Sequence, residues 1–147
     1  MLERSINSIK ELEQFASELT EIIHPNSVIL LNGEMGAGKT SFVQAFSRLS
    51  GVKQAVRSPT FIVHSEYKAN KNLEIHHLDL YRLENPSELK ELNIKDSLND
   101  DSYIFIEWAD KFEDELKELF SDKNVYKLDF EIVDENIRSI KFEKLES

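Results

Sequence analysis

Cysteine is absent from the 147-residue chain, which excludes disulfides, thiolate metal sites and cysteine nucleophiles together. Long apolar runs are missing as well. The longest, Val28 to Leu31 and Tyr103 to Ile106, have four residues each, against the ~20 that a membrane helix needs. The opening MLERSINSIKELEQF has no basic stretch followed by an apolar one, so no signal peptide is expected and a cytoplasmic, membrane-free protein is the simplest reading. Glycine and proline are scarce, with four and three residues, so any clustering of glycine carries information. What remains is 40% apolar and includes nine Phe. That suffices for one packed core, excludes global disorder, and predicts a single domain over residues 1–147.

Positive charge is in short supply only in the second half. Up to Arg82 the chain carries nine basic and nine acidic residues; from Leu83 onward it carries nine basic and nineteen acidic. Nucleic-acid binders cluster Lys and Arg, and acidic surface repels phosphodiester backbones. Direct nucleic-acid binding through the C-terminal part is therefore not expected, and the acids read as solvated faces.

The patterning predicts a mixed α/β domain. Ser8 and Glu11 match a capping box, and Ile9, Leu12, Phe15, Leu19, Ile22 and Ile23 follow at helical spacing until His24, Pro25 and Asn26 stop them. Ser27 to Asn32 reads as a buried strand. A helix is expected from about Lys39 to Ser50, with Val43, Phe46 and Leu49 inward and Gly51 as its stop. Phe61 to Tyr67 and Leu73 to Tyr81 read as a hairpin, Pro86 to Leu92 as a short helix and Tyr103 to Glu107 as a second buried strand. Phe112, Leu116, Leu119 and Phe120 form a helical stripe, and Val125 to Val133 with Ile137 to Leu145 form a last hairpin. Parallel core strands with crossover helices, joined to antiparallel pairs, follow from this order.

Residues 33 to 40, Gly-Glu-Met-Gly-Ala-Gly-Lys-Thr, match G-x-x-x-x-G-K-[ST] in full and hold three of the four glycines. At this composition the chance of one such match is on the order of one in a thousand, and the required strand before and helix after are both predicted. In such a loop Gly36 and Gly38 let backbone N–H groups approach phosphate oxygens, and the helix N-terminus adds partial positive charge. Glu34, Met35, Gly36, Ala37, Gly38, Lys39, Thr40 and Ser41 are thus the candidate phosphate-binding stretch. Lys39 is expected to face solvent in the empty site and to reach the β- and γ-phosphates, with the Thr40 hydroxyl on Mg²⁺. The guanine-reading N-K-x-D pattern is absent, which favours ATP.

Phosphoryl transfer also needs a carboxylate at the metal and a group that orients the attacking oxygen. Asp79 and Glu107 end predicted strands, and Arg57-Ser58-Pro59-Thr60-Phe61 offers a hydroxyl just before one. His76 and His77 are adjacent on a strand, point to opposite faces, and read as structural rather than metal-binding.

Taken in order, the phosphate loop, Ser58-Pro59-Thr60-Phe61, His77-Leu78-Asp79-Leu80-Tyr81-Arg82 and Glu107-Trp108-Ala109-Asp110 resemble the TsaE (YjeE) family over nearly the whole chain. Two positions depart from its commoner residues: Met35 stands where Leu is usual, and Ser41 where a second Thr is frequent. The resemblance implies a P-loop ATPase of tRNA threonylcarbamoyladenosine biosynthesis, using ATP and Mg²⁺. Its partners would be TsaB and TsaD type proteins that install threonylcarbamoyl on the adenosine beside the anticodon, with tRNA engaged only indirectly. By position, it makes Thr60 a switch-type residue sensing Mg²⁺ and the γ-phosphate. Asp79 and Glu107 become the acids at metal and water, and Trp108 flanks the nucleotide or a partner surface. Two other readings stay open: a nucleotide-gated binding module with incidental turnover, and a small P-loop kinase, although five scattered Arg supply no Arg-rich lid. Arg57 and Arg82 are the only arginine-finger candidates.

Overall fold

The structure is a computed structural model that describes residues 1–54, 56, 64–92 and 94–145. Its organising element is the strand β2 (Ser27–Asn32), whose first five residues are all buried. Val28 and Leu30 face one side of the sheet and Ile29 and Leu31 the other, so both faces must be covered, and the run is apolar throughout for that reason. β2 lies in parallel between β5 (Ser102–Glu107) and β6 (Asn124–Ile132). β4 (Glu74–Asp79) adds in parallel outside β5.

Antiparallel pairs finish both edges. β3 (His64–Lys68) returns against β4, and β7 (Arg138–Leu145) against β6. β1 (Leu2–Ile6) pairs with β7 from Leu2 opposite Phe142 to Ile6 opposite Arg138. The described residues therefore make a seven-stranded sheet in the order β1-β7-β6-β2-β5-β4-β3. No sequence signal singled out β1. Its LERSI alternation is five residues long, with charges at positions 3 and 4, and its partner lies more than 130 residues away.

α1 (Ile9–Ile22) opens as predicted: the Glu11 N–H donates to Ser8 Oγ at 3.1 Å, and the Asn7 N–H donates to Glu11 Oε1 at 2.8 Å. α1 and α2 (Lys39–Leu49) cover one face through Leu12, Phe15, Leu19, Phe42, Val43 and Phe46. Phe42 is the hub, with ring centroids of Phe15, Phe46, Phe105 and Phe130 between 6.0 and 6.4 Å away. Leu49 does not join them; it is 50% exposed. The chain turns at Ser50 and Gly51, and Val52 is the residue that returns to the core. The other face is covered by α3 (Ser87–Glu91), the 3-10 turns Ile94–Ser97 and Ala109–Phe112, and α4 (Glu113–Leu119), through Leu89, Ile94, Phe112 and Leu116. The molecule is a single α/β domain with a mixed sheet between helices, as the patterning predicted. Among the described residues no helix is long and apolar enough to cross a membrane.

Candidate functional site

β2 ends at Asn32 and passes directly into the glycine loop, which hands the chain to α2. Gly38 is the N-cap of α2 with φ +108° and ψ +8°, a left-handed conformation that favours glycine, and no side chain caps the first N–H groups of the helix there. Gly33 is held by close approach: a Cβ on it would lie 2.6 Å from the Phe130 carbonyl oxygen of β6. In front of Gly36 a Cβ would meet nothing within 4 Å. Gly36 thus lies on the exposed side of the loop, next to the start of α2, where the partial positive charge of a helix N-terminus favours anions. Ala37 is buried, Glu34 and Met35 are exposed, and Thr40 and Ser41 are half-buried at the first turn of α2.

The acids arrive from neighbouring strands. In the β4–β5 register Asp79 sits opposite Glu107, and Leu31 of β2 pairs with Glu107 from the other side. Three adjacent parallel strands thus end side by side at the phosphate loop, the position at which open α/β sheets bind ligands. Glu107 is buried, 3% exposed. Asp79 is half-buried and accepts the Tyr81 N–H at 2.8 Å. Burial pushes the Asp79 carboxyl above its ordinary range, and the Glu107 charge adds to this; the Tyr81 N–H, His77 and Lys39 oppose it.

Lys39 departs from expectation. It is not solvent-facing but 5% exposed. Its ammonium donates to the Gly33 carbonyl at 2.6 Å and lies 4.1 Å from the Trp108 ring centroid. Burial lowers its pKa, partly offset by the charges of Glu107, Asp79 and Asp110. Trp108 reaches this position from a left-handed backbone, φ +60° and ψ +36°, the kind of strain that persists where surrounding contacts hold it. Its ring packs against Tyr81 at 5.0 Å, and Lys111 donates to the Tyr81 carbonyl.

The two histidines do point to opposite faces, and they differ in kind. His76 is buried with both ring nitrogens partnered, Nδ1 by His64 at 2.8 Å and Nε2 by Glu74 at 3.3 Å. Glu66, Glu74 and His76 bring ligand-type atoms within 4.8 Å of one another, but the Lys68 ammonium already bonds both glutamates there. His77, equally buried, lies 2.6 Å through Nε2 from Glu107 Oε2. Sequence reasoning missed that contact. Strand alternation does place His77 on the face of Asp79, but only the β4–β5 register brings it to Glu107. Thr60, Arg57 and the rest of Ser58 to Phe61 lie outside the described residues. Arg82 is exposed in the turn that follows β4.

A family model described as "Threonylcarbamoyl adenosine biosynthesis protein TsaE" matches residues 6–140. A Rickettsia conorii protein named "tRNA threonylcarbamoyladenosine biosynthesis protein TsaE" is 40% identical over 107 residues, which cover 72% of this chain and 60% of that relative's length. A Rickettsia felis protein of the same name is 36% identical over 134 residues, 90% of this chain and 74% of the relative. The crystal structure of Bacillus subtilis YdiB shares the fold, with a TM-score of 0.71 and 23% identity over 96% of this chain and 83% of that one. With the family match running from β1 into β7, and a glycine loop and two strand-end acids meeting at the carboxyl ends of the central strands, the chain belongs to the TsaE family.

Proposed function

We propose that the chain binds ATP with Mg²⁺ at the glycine loop and hydrolyses it in support of tRNA threonylcarbamoyladenosine formation. The observation that carries this reading is the Asp79–Glu107 register pair ending beside the phosphate loop. A phosphate cradle alone would serve binding, whereas two carboxylates at its edge suit a reaction that holds a metal and orients a nucleophile. The donor set fits Mg²⁺, an oxygen-seeking ion usually taken up through a hydroxyl and one or two carboxylates together with substrate phosphates.

In this reading the loop N–H groups and the α2 N-terminus grip the phosphates. Lys39 exchanges the Gly33 carbonyl for a phosphate oxygen and neutralises charge as it builds. Thr40 and Glu107 would hold Mg²⁺, which when bound supplies charge neutralisation between the phosphates. Asp79 orients water or a metal-bound group, and Thr60 acts as the switch threonine that the family resemblance implies. Trp108, lying over Lys39, shields the site from solvent.

The relatives' names support a role in the modification pathway, and the reading assigns this chain the energy-coupling part beside TsaB and TsaD type proteins, in the cytoplasm, with residues 1–147 as one P-loop unit. The test is ATP turnover by the full chain, alone and with those partners and tRNA. Glu107→Ala should cut turnover far more than nucleotide affinity. Equal losses in both would make Glu107 a binding or folding residue. Full nucleotide binding without turnover under any condition would leave a nucleotide-gated binding module.

A further inference from the structure

His77 is a buried imidazole with one satisfied nitrogen. Its Nε2 sits 2.6 Å from Glu107 Oε2, and its Nδ1 has no hydrogen-bond partner among the described residues. A carboxylate accepts, so Nε2 carries the proton and donates it. The adjacent His76 supplies the contrast, because both of its nitrogens are partnered by His64 and Glu74 and it lies on the opposite face, away from the loop. A histidine kept for packing and polar satisfaction looks like His76. His77 has one nitrogen without a partner among the described residues and places the other on an acid at the phosphate loop.

We propose that His77 is a positioning residue: it fixes the orientation of the Glu107 carboxylate at the end of β5, so that Glu107 is already aimed when nucleotide enters. A glutamate has three rotatable side-chain bonds, and Glu107 is the charge most strongly felt by Lys39. Rotation about those bonds would bring the carboxylate toward that ammonium, and the His77 bond opposes it. The His77 bond holds the Oε2 side of the carboxylate in a fixed direction, which is how a supporting shell tunes a group that contacts the reacting atoms. The rigidity is inherited, since His77 lies in the middle of β4, hydrogen-bonded between β3 and β5. This inference rests on the hydrolytic reading above.

The test uses the full chain with Mg-ATP, reading turnover by phosphate release, nucleotide affinity by Trp108 fluorescence, and folding by thermal melt. His77→Phe fills the space without a donor. His77→Asn is polar but too short to reach Oε2, and His77→Gln restores a donor at the reach of Nε2. We expect Phe and Asn to lower kcat about 10–100-fold with KM and nucleotide affinity within about 3-fold, and Gln to recover most of the loss. In a Glu107→Ala background, His77→Asn should add nothing further.

Wild-type kcat in a folded His77→Asn chain overturns the proposal, as does a loss that persists in full on top of Glu107→Ala or one that Gln does not rescue. If His77→Phe fails to fold, the Asn and Gln variants decide alone. If the wild type does not turn over, or Glu107→Ala matches it, the hydrolytic reading itself falls and His77 falls with it.

Discussion

Replacing Lys39 by Met separates what this residue does for the empty protein from what it does for the ligand. In the structure the ammonium is buried against the Gly33 carbonyl and the Trp108 ring. Its pKa lies below the ordinary value because burial outweighs its acidic neighbours. For a base with a lowered folded pKa, the charged form is less stable in the fold than in the unfolded chain, and neutralising it removes that cost. The lost hydrogen bond and cation–π contact act in the other direction.

The two nearly cancel, and the empty Lys39→Met chain should melt within about 2–4 °C of wild type, the equivalent of ~1 kcal/mol at this size. Ligand stabilisation is different. At a nucleotide concentration 100 times the wild-type Kd, wild type gains about 2.7 kcal/mol, or about 5–10 °C. Removing a charge-assisted contact to phosphate weakens binding by about 2–3 kcal/mol, roughly 100-fold. The variant then gains only ~0.4 kcal/mol, about 1 °C. Differential scanning fluorimetry with and without Mg-ATP reads both quantities. An equal ATP-induced shift in the two proteins would refute the phosphate-loop assignment.

Gly33→Ala forces a Cβ to within 2.6 Å of the Phe130 carbonyl at φ +145° and should destabilise the chain by more than about 2 kcal/mol. Gly36→Ala meets no atom within 4 Å, so in urea titrations it should retain more stability than Gly33→Ala while binding nucleotide more weakly. Phe42→Ala removes the ring at the centre of four others and should cost about 3–5 kcal/mol by the same titration. Glu74 is held below the ordinary carboxylate range chiefly by Lys68, against the opposing effect of burial. Its stabilisation is therefore full above pH 4.5 and lost as pH falls through its folded pKa. The stability gap between wild type and Glu74→Gln should be widest near neutrality and close in acid. With nineteen acids against nine bases after Arg82, the isolated chain should bind tRNA no tighter than roughly 10 μM at physiological salt; submicromolar, salt-sensitive binding by fluorescence anisotropy would contradict this.

The elements that could be read from the sequence are those whose signal is local. β2 is a short apolar run bounded by turn residues, α1 carries its own cap, and the glycine loop announces the helix behind it. Glu107 was legible as the residue that ends such a run. What escaped depends on register or on distant partners. β1 forms only because β7 offers an edge. Leu49 follows the helical period yet is exposed, because the helix ends there. The burial of Lys39 depends on a tryptophan 69 positions later in an unusual backbone conformation. The His77–Glu107 contact requires knowing how β4 and β5 align.

The lean of Gly33 against Phe130 has a consequence in time. Nearly a hundred residues separate the first glycine of the loop from the backbone that limits its conformation, and β6 pairs with β2 along the whole of that strand. During synthesis the motif emerges early, but the wall behind it emerges late. Closing so long a loop is entropically slow. A ribosome-bound chain that has not yet exposed β6 should carry the glycines and lysine without a formed phosphate cradle. Nucleotide capture would then begin only after β6 has joined the sheet, so binding would report a completed fold rather than help to nucleate it.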